Sequence, residues 1–166
     1  MELSLLRTSE EIERIYRQYV GTVYRIALMM LKNIPEAEDA TQTVFIRFMA
    51  AEQAFNGDEH IKAWLIVTVK NHCRDVLRSA WRTRRVHSES LPETAQFAPM
   101  LEGDLFQQVM ALQDKYKLPL YLYYYEGYKS QEIAEMLSVN HATIRTRLKT
   151  AKKKLKLMLE EETNGE

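Results

Sequence analysis

Apolar residues recur at three- and four-residue steps through nearly the whole chain. That period belongs to an α-helix, so the expected fold class is all-α. The first helix is the clearest case: Ile12, Ile15, Tyr16, Tyr19, Val23, Ile26, Ala27 and Met30 would form one apolar face. Thr8 and Glu11 stand at capping-box spacing before it, and Asn33 reads as its stop. Pro35 suits the first turn of a second helix, where a missing N–H costs nothing. Glu36, Glu38 and Asp39 favour the positive end of that helix's dipole. The pattern continues through Val44, Phe45, Phe48 and Met49 to about Gln53. Residues 54–60 break it with an Asn56-Gly57 turn signal. Asp58 or Glu59 then opens a third helix, with Ile61, Trp64, Leu65, Thr68, His72 and Val76 on one face. Lys62, Lys70, Arg74 and Arg78 fall on the opposite face.

Residues 86–103 carry no helical period, no Lys and no Arg, and they include two Pro. Such a stretch reads as a flexible acidic linker. The 166 residues therefore divide into two small helical domains, 1–85 and 104–166. In the second, Leu105, Phe106, Val109, Met110 and Leu112 make one amphipathic helix, and Leu118 to Glu126 reads as another. Gly127 is a C-cap candidate and Ser130–Leu137 a short third helix. After the turn Ser138-Val139-Asn140, Asn140 would cap a last helix over roughly residues 141–160. Those last two helices are the sequence image of a helix-turn-helix.

The formal net charge is zero, but the charge is sorted into blocks. Residues 61–85 hold seven bases against Asp75 alone, and residues 138–159 hold seven bases and no acid. Residues 1–60, 86–114 and the tail 160–166 are net acidic. This asymmetry fits either two solvated helix faces or two contacts with nucleic acid.

Several classes fare poorly. One cysteine, Cys73, excludes a disulfide framework or a multi-Cys zinc site and reads as a buried bystander. The four His are scattered with no metal-ligand spacing, and no Gly-rich phosphate loop exists. The chain is therefore expected to be no enzyme, with no cofactor and no metal. Acids occupy the N-terminus where a signal peptide has its apolar core, and no apolar run approaches 18 residues. A cytoplasmic protein with no membrane insertion of its own is expected.

Two constellations remain. In the last helix Ile144, Leu148, Ala151 and Leu155 form the buried stripe, and Ile133, Ala134 and Leu137 the buried side of the helix before it. His141, Ala142, Thr143, Arg145, Thr146 and Lys149 are then left able to meet base edges and nearby phosphates in a major groove. Lys152, Lys153, Lys154 and Lys156 lie further along, on phosphates or merely solubilising. The basic helix 61–85 is accompanied by Phe55, Asn56, Trp64 and Asn71. Cationic tracking with planar groups suits single-stranded nucleic acid, although Trp64 falls on the apolar face and belongs in the core. Phe55 stands outside any helical stripe.

Together the two halves resemble the extracytoplasmic-function sigma factors of bacterial RNA polymerase, from about Tyr16 to Leu159. Three stretches carry the resemblance. In PEAEDATQTVFIRF, Asp39, Gln42 and Phe45 match the clamp-binding helix, while Thr43 replaces the usual acid. AFNGDEHIKAWLIVTVKN matches the family's pattern of Phe, Trp-Leu and a closing Asn. EGYKSQEIAEMLSVNHATIRTRLKTAKKKL matches its helix-turn-helix, with Ala142 in place of a common Gly and Thr150 in place of a frequent base.

The resemblance implies a division of labour. Asp39, Gln42, Phe45, Arg47 and Phe48 would bind the clamp helices of the polymerase's largest subunit. Phe55, Asn56, Gly57 and Asn71 would hold a flipped minus-ten base, with Lys62, Lys70, Arg74 and Arg78 on phosphates. His141, Thr143, Arg145, Thr146, Lys149 and Lys153 would serve the minus-thirty-five element, and the second domain would dock on the polymerase flap. The linker would thread toward the RNA exit channel, and an anti-sigma factor would hold the protein inactive. The alternative from another class is a stand-alone helix-turn-helix regulator whose N-terminal domain senses a ligand or partner.

Overall fold

The computed structural model describes residues 7–83 and 104–164. The chain forms two compact units, Met1–Met100 and Leu101–Glu166, and every regular element among the described residues is a helix. The expected linker 86–103 lies outside the described residues.

The first unit is a three-helix bundle of α1 (Ser9–Leu31), α2 (Ile34–Ala50) and α3 (Asp58–Thr83), each packed on the other two. Thr8 caps α1 as expected, its hydroxyl accepting from the Glu11 N–H at 3.1 Å. The stop falls one residue earlier than the sequence suggests. Lys32, in the left-handed region at φ 56, caps α1 and donates its N–H to the Leu28 carbonyl. That leaves Asn33 extended, and its side chain instead accepts from the Glu36 N–H at 2.9 Å, starting α2. Pro35 sits in the first turn of α2, as expected. The helix ends at Ala50, short of Gln53.

Helix α1 faces two neighbours, so one stripe cannot describe its burial. Ile15, Tyr19, Val23, Ile26 and Ala27 are buried as expected, and Val20, Tyr24, Leu28 and Leu31 join them. Helix α2 turns Ala37, Ala40, Thr41, Val44, Phe45 and Phe48 inward. In α3 the buried stripe is Ile61, Leu65, Ile66, Val69 and Cys73. The expected face residues Trp64, Thr68, His72 and Val76 are only half-buried, so the inward face lies about one residue round from the expected one. Each fully buried large apolar side chain, such as Phe48 or Ile15, contributes about 1.5–3 kcal/mol through loss of water contact.

The second unit contains α4 (Asp104–Met110), α5 (Asp114–Tyr124), α6 (Ser130–Leu137) and α7 (His141–Asn164). Its core joins Phe106, Tyr121 and Leu122 to Ile133, Ile144 and Leu148. Met136 is buried beside them, whereas Leu137 is half-buried. Helix α5 begins four residues before the expected Leu118, which puts Pro119 inside it. The proline costs the helix the bond its N–H would make to Lys115, and its burial in the core offsets that loss. Gly127, at φ +75, turns the chain after α5, and the Tyr128 N–H returns to the Leu122 carbonyl at 3.0 Å.

The turn between α6 and α7 is a Schellman motif. The Val139 N–H donates to Ala134 at 3.0 Å and the Ser138 N–H to Glu135 at 3.2 Å, with Ser138 left-handed at φ 54. Asn140 then caps α7, its side-chain oxygen accepting from the Ala142 N–H at 2.8 Å. The helix-turn-helix stands where the sequence put it.

Candidate functional site

Three surfaces carry the candidate residues, two on the first unit and one on the second. The first is the outer face of α2. Asp39, Gln42 and Arg47 are exposed there, while Thr43 is half-buried. Phe45 and Phe48 are not on it. Phe45 packs edge-on to Tyr16 with ring centroids 4.9 Å apart, and Phe48 is fully buried. Helical phase explains the correction: 37, 40, 41, 44, 45 and 48 form one inward stripe, so no contact partner can reach the two rings. Their places outside are taken by Ile46 and Met49, exposed at 63% and 46%. Both stand seven residues beyond an exposed polar position, Asp39 and Gln42 respectively. That spacing was the available signal for them.

The second surface is the loop 51–57 with the start of α3. Phe55 is half-buried rather than free-standing. Its ring meets Trp64 and His60 edge-on at 5.7 and 5.1 Å and tilts against Phe48 at 5.9 Å. Trp64 is itself half-buried within this cluster, not a core residue. Asn56 and Gly57 are exposed, Gly57 at φ +97, where any side chain would be strained. The Asn56 N–H donates to His60 Nδ1 at 3.0 Å. Asp58 takes both guanidinium nitrogens of Arg14, at 2.7 and 3.2 Å. The Arg14 hydrogen bond holds the Asp58 carboxyl below the usual carboxylate range. Arg7, whose guanidinium carbon lies 4.7 Å from the Phe55 ring centroid, and His60 therefore belong to this loop's surroundings, although the sequence singles out neither.

Along α3, Arg74 and Arg78 are exposed and Lys62 and Asn71 half-buried. Lys70 departs from expectation: only 8% of it is exposed. Burial, then the neighbouring Arg74, pushes its ammonium below the ordinary lysine value. It faces inward with Ile66 and Val69, so it is not part of the solvent-facing basic stripe. Cys73 is buried, and burial followed by Glu36 pushes its thiol up to about 12, far from a thiolate nucleophile.

The third surface is the first half of α7. Arg145, Thr146, Lys149 and Lys153 are exposed and Thr143 half-buried, while Ile144, Leu148, Ala151 and Leu155 face the core. The Thr146 hydroxyl donates to the Ala142 carbonyl at 3.0 Å, leaving its lone pairs outward. His141 departs from a free base reader. Half-buried, it places Nε2 2.9 Å from Ser130 Oγ and so ties the start of α7 to the start of α6. A concavity of about 390 Å³ lies beside it, lined by Thr143, Thr146 and Arg147 of α7 with Lys115 and Tyr116 of α5. Lys115 and Arg147 add two cations at this concavity. The folding of α5 against α7, which sequence spacing does not encode, brings them together. Lys152 lies 4.1 Å over the Tyr123 ring, a cation–π contact that draws it away from the exposed face.

Among the described residues, no group of three His, Cys, Asp or Glu side chains could hold a metal ion. No described helix is long and apolar enough to cross a membrane.

Comparison with known proteins agrees with this division. The family model for sigma-70 region 2 matches residues 15–83, and that for sigma-70 region 4 matches residues 103–155. The chain is 26% identical over 158 residues to the ECF RNA polymerase sigma factor SigW of Bacillus subtilis, covering 85% of this chain and 84% of that one. It is 25% identical over 162 residues to SigM of the same organism, covering 93% and 99%. In fold it is similar to the sigma factor RpoE of Bartonella quintana, solved in complex with the anti-sigma factor NepR. The TM-score is 0.70 at 17% identity, over 91% of this chain and 98% of that one. The two sigma-70 regions fall on the two helical units, in order, and relatives align along most of both lengths. The chain therefore belongs to the extracytoplasmic-function sigma factors, the promoter-specificity factors of RNA polymerase.

Proposed function

We propose that the two units divide promoter recognition between them. The outer face of α2 binds the clamp helices of core polymerase through Asp39, Gln42 and Arg47, with Ile46 and Met49 supplying the apolar contact. The loop at Phe55, Asn56 and Gly57, with Asn71 nearby, holds an unstacked minus-ten base, and Lys62, Arg74 and Arg78 take phosphates. The exposed face of α7 reads the minus-thirty-five element through Arg145, Thr146 and Lys149, with Lys153 on phosphate and Lys115 and Arg147 flanking the neighbouring concavity. The second unit docks on the polymerase flap. The protein acts in the cytoplasm as a specificity subunit, not as a catalyst.

The observation that carries this reading is the face of α7. A capped helix follows a Schellman turn and presents Arg145, Thr146 and Lys149 outward with no acid among residues 138–159. Phosphate contacts of this kind set register while one or two side chains read bases. An anti-sigma factor is a further proposed partner, as NepR is for the RpoE structure, and it would cover the exposed apolar face of α2.

Run-off transcription with core polymerase on a genomic fragment library tests the reading. Enrichment of fragments sharing two spaced elements is the expected result. Arg145→Ala should lower specific transcription about tenfold, the loss of one base-reading contact of 1–3 kcal/mol, with core binding retained. Equal loss of core binding would move Arg145 off the DNA. The ligand-sensing alternative for the N-terminal unit gains no support, because sigma-70 region 2 occupies that unit.

A further inference from the structure

Arg7 stands just before the cap of α1 and reaches the far end of α2, more than forty residues away in sequence. Its Nη1 donates to the Phe48 carbonyl at 3.1 Å and to that of Ala51, and its Nη2 to Gln53 at 2.9 Å. The guanidinium carbon lies 4.6 Å from the Phe48 ring centroid and 4.7 Å from that of Phe55. The last carbonyls of a helix lack intrahelical partners and carry its negative end. The planar fork of Arg7 takes two of these, the Phe48 carbonyl (which also accepts from the Ala51 N–H) and that of the C-cap Ala51, together with the Gln53 carbonyl of the loop beyond, and still lies against two rings. A lysine ammonium offers three donors from a single point and lacks the planar fork that spans these carbonyls while lying against both rings.

The same loop is tethered at its other end. The Asn56 N–H is bonded to His60, Asp58 is gripped by Arg14, and the Tyr19 hydroxyl donates to the Asp58 carbonyl at 3.4 Å. Between these two sets of bonds stand Phe55, Asn56 and Gly57.

We propose that Arg7 is a positioning residue for strand opening, fixing residues 51–55 so that Phe55 is already oriented to receive an unstacked base. The proposal rests on the reading of residues 55–57 as the base-holding loop. Extruding a base costs a few kcal/mol of unstacking. A loop that had to order itself at the same moment would add its own conformational entropy to that cost. Arg7 removes this second cost before DNA arrives.

The test uses the full chain with core polymerase on two templates, a duplex promoter and the same promoter with its minus-ten region already unpaired. Permanganate reactivity and the rate of open-complex formation are measured for Arg7→Ala, Arg7→Lys and Phe55→Ala, with core affinity measured separately. Arg7→Ala is expected to slow opening of the duplex about tenfold (~1.4 kcal/mol) and Arg7→Lys nearly as much, because charge without the fork does not hold the loop. On the unpaired template, where the loop no longer has to offset unpairing, both variants should run close to the unmodified protein, with core affinity unchanged. Equal losses on both templates together with weaker core binding would make Arg7 a general support of the bundle and overturn the proposal. Slow Phe55→Ala beside normal Arg7→Ala overturns the role of Arg7 alone. Normal opening by Phe55→Ala overturns the loop reading and the proposal with it. Should Arg7→Ala fail to fold, Arg7→Lys, which keeps the cation, carries the same comparison.

Discussion

Phe48 and Ile46 show how far two positions can change a residue's role. Phe48 is fully buried against Phe55 and Trp64, while Ile46 is 63% exposed on the same helix. Phe48→Ala is expected to cost about 3–5 kcal/mol in urea unfolding, through lost transfer energy and the cavity left behind. Ile46→Ala should change stability by less than about 0.5 kcal/mol and instead weaken binding to core polymerase in a titration. Both the residue types and the helical phase of this face are legible in the sequence, yet the resemblance points to the inward rings. A resemblance carried over position by position names the aromatic residues, and the helical phase tells which of them point inward. Lys70 repeats the lesson: its charge suggests the DNA side, and its place beside Ile66 and Val69 puts it inside. Cys73 titrates in the same core. Its thiol is held up at about 12 by burial, against about 8.5 in an unfolded chain. The folded state thus favours the neutral thiol, and the stability this confers is full below the unfolded value and lost as pH rises toward 12. Unfolding free energy should therefore fall with pH above about 8.5 more steeply in the native protein than in Cys73→Ala, by urea titration at each pH.

At the scale of elements, the existence of helices was legible and their ends were less so. The starts of α1 and α7 are legible because Thr8 and Asn140 use side chains that accept from backbone N–H groups two or three residues on. Asn33 is ambiguous in sequence because the same chemistry serves a start and a stop, and the left-handed residue that decides between them is Lys32. The start of α5 was hidden by Pro119, which marks a first turn in sequence but sits inside a helix here. Among left-handed positions Ser138 offers the cleaner test. A Cβ in that region costs about 1–2 kcal/mol, and glycine avoids it. Ser138→Gly should raise thermal stability by up to about 1 kcal/mol at the midpoint, allowing for glycine's greater freedom when unfolded. If the melting temperature falls instead, the serine hydroxyl matters more than its backbone angle. His141 links α6 to α7: its ring reaches Ser130, so a residue expected to meet DNA bonds across the turn.

Over the whole molecule, zero net charge is a total over blocks of opposite sign, and that sorting was fully legible. That there are two units was legible as well, and they are Met1–Met100 and Leu101–Glu166. Partners of different kinds should then respond differently to salt. Promoter affinity should fall linearly with salt on a double-logarithmic plot, and Lys153→Ala should lower that slope by about one. Binding to core polymerase, to which we assign the exposed apolar Ile46 and Met49, should respond far less over the same range. Parallel slopes for both equilibria would place the basic residues at the wrong interface. The joint between α1 and α2 bears on where such a chain can be cut or lengthened. Lys32 is bonded back to Leu28, and Asn33 already caps the next helix at Glu36, so no residue between them is spare. An insertion or a pair of new termini at that joint uncaps two helices in one step. Chain surgery that spares the bundle must therefore leave Lys32 and Asn33 adjacent.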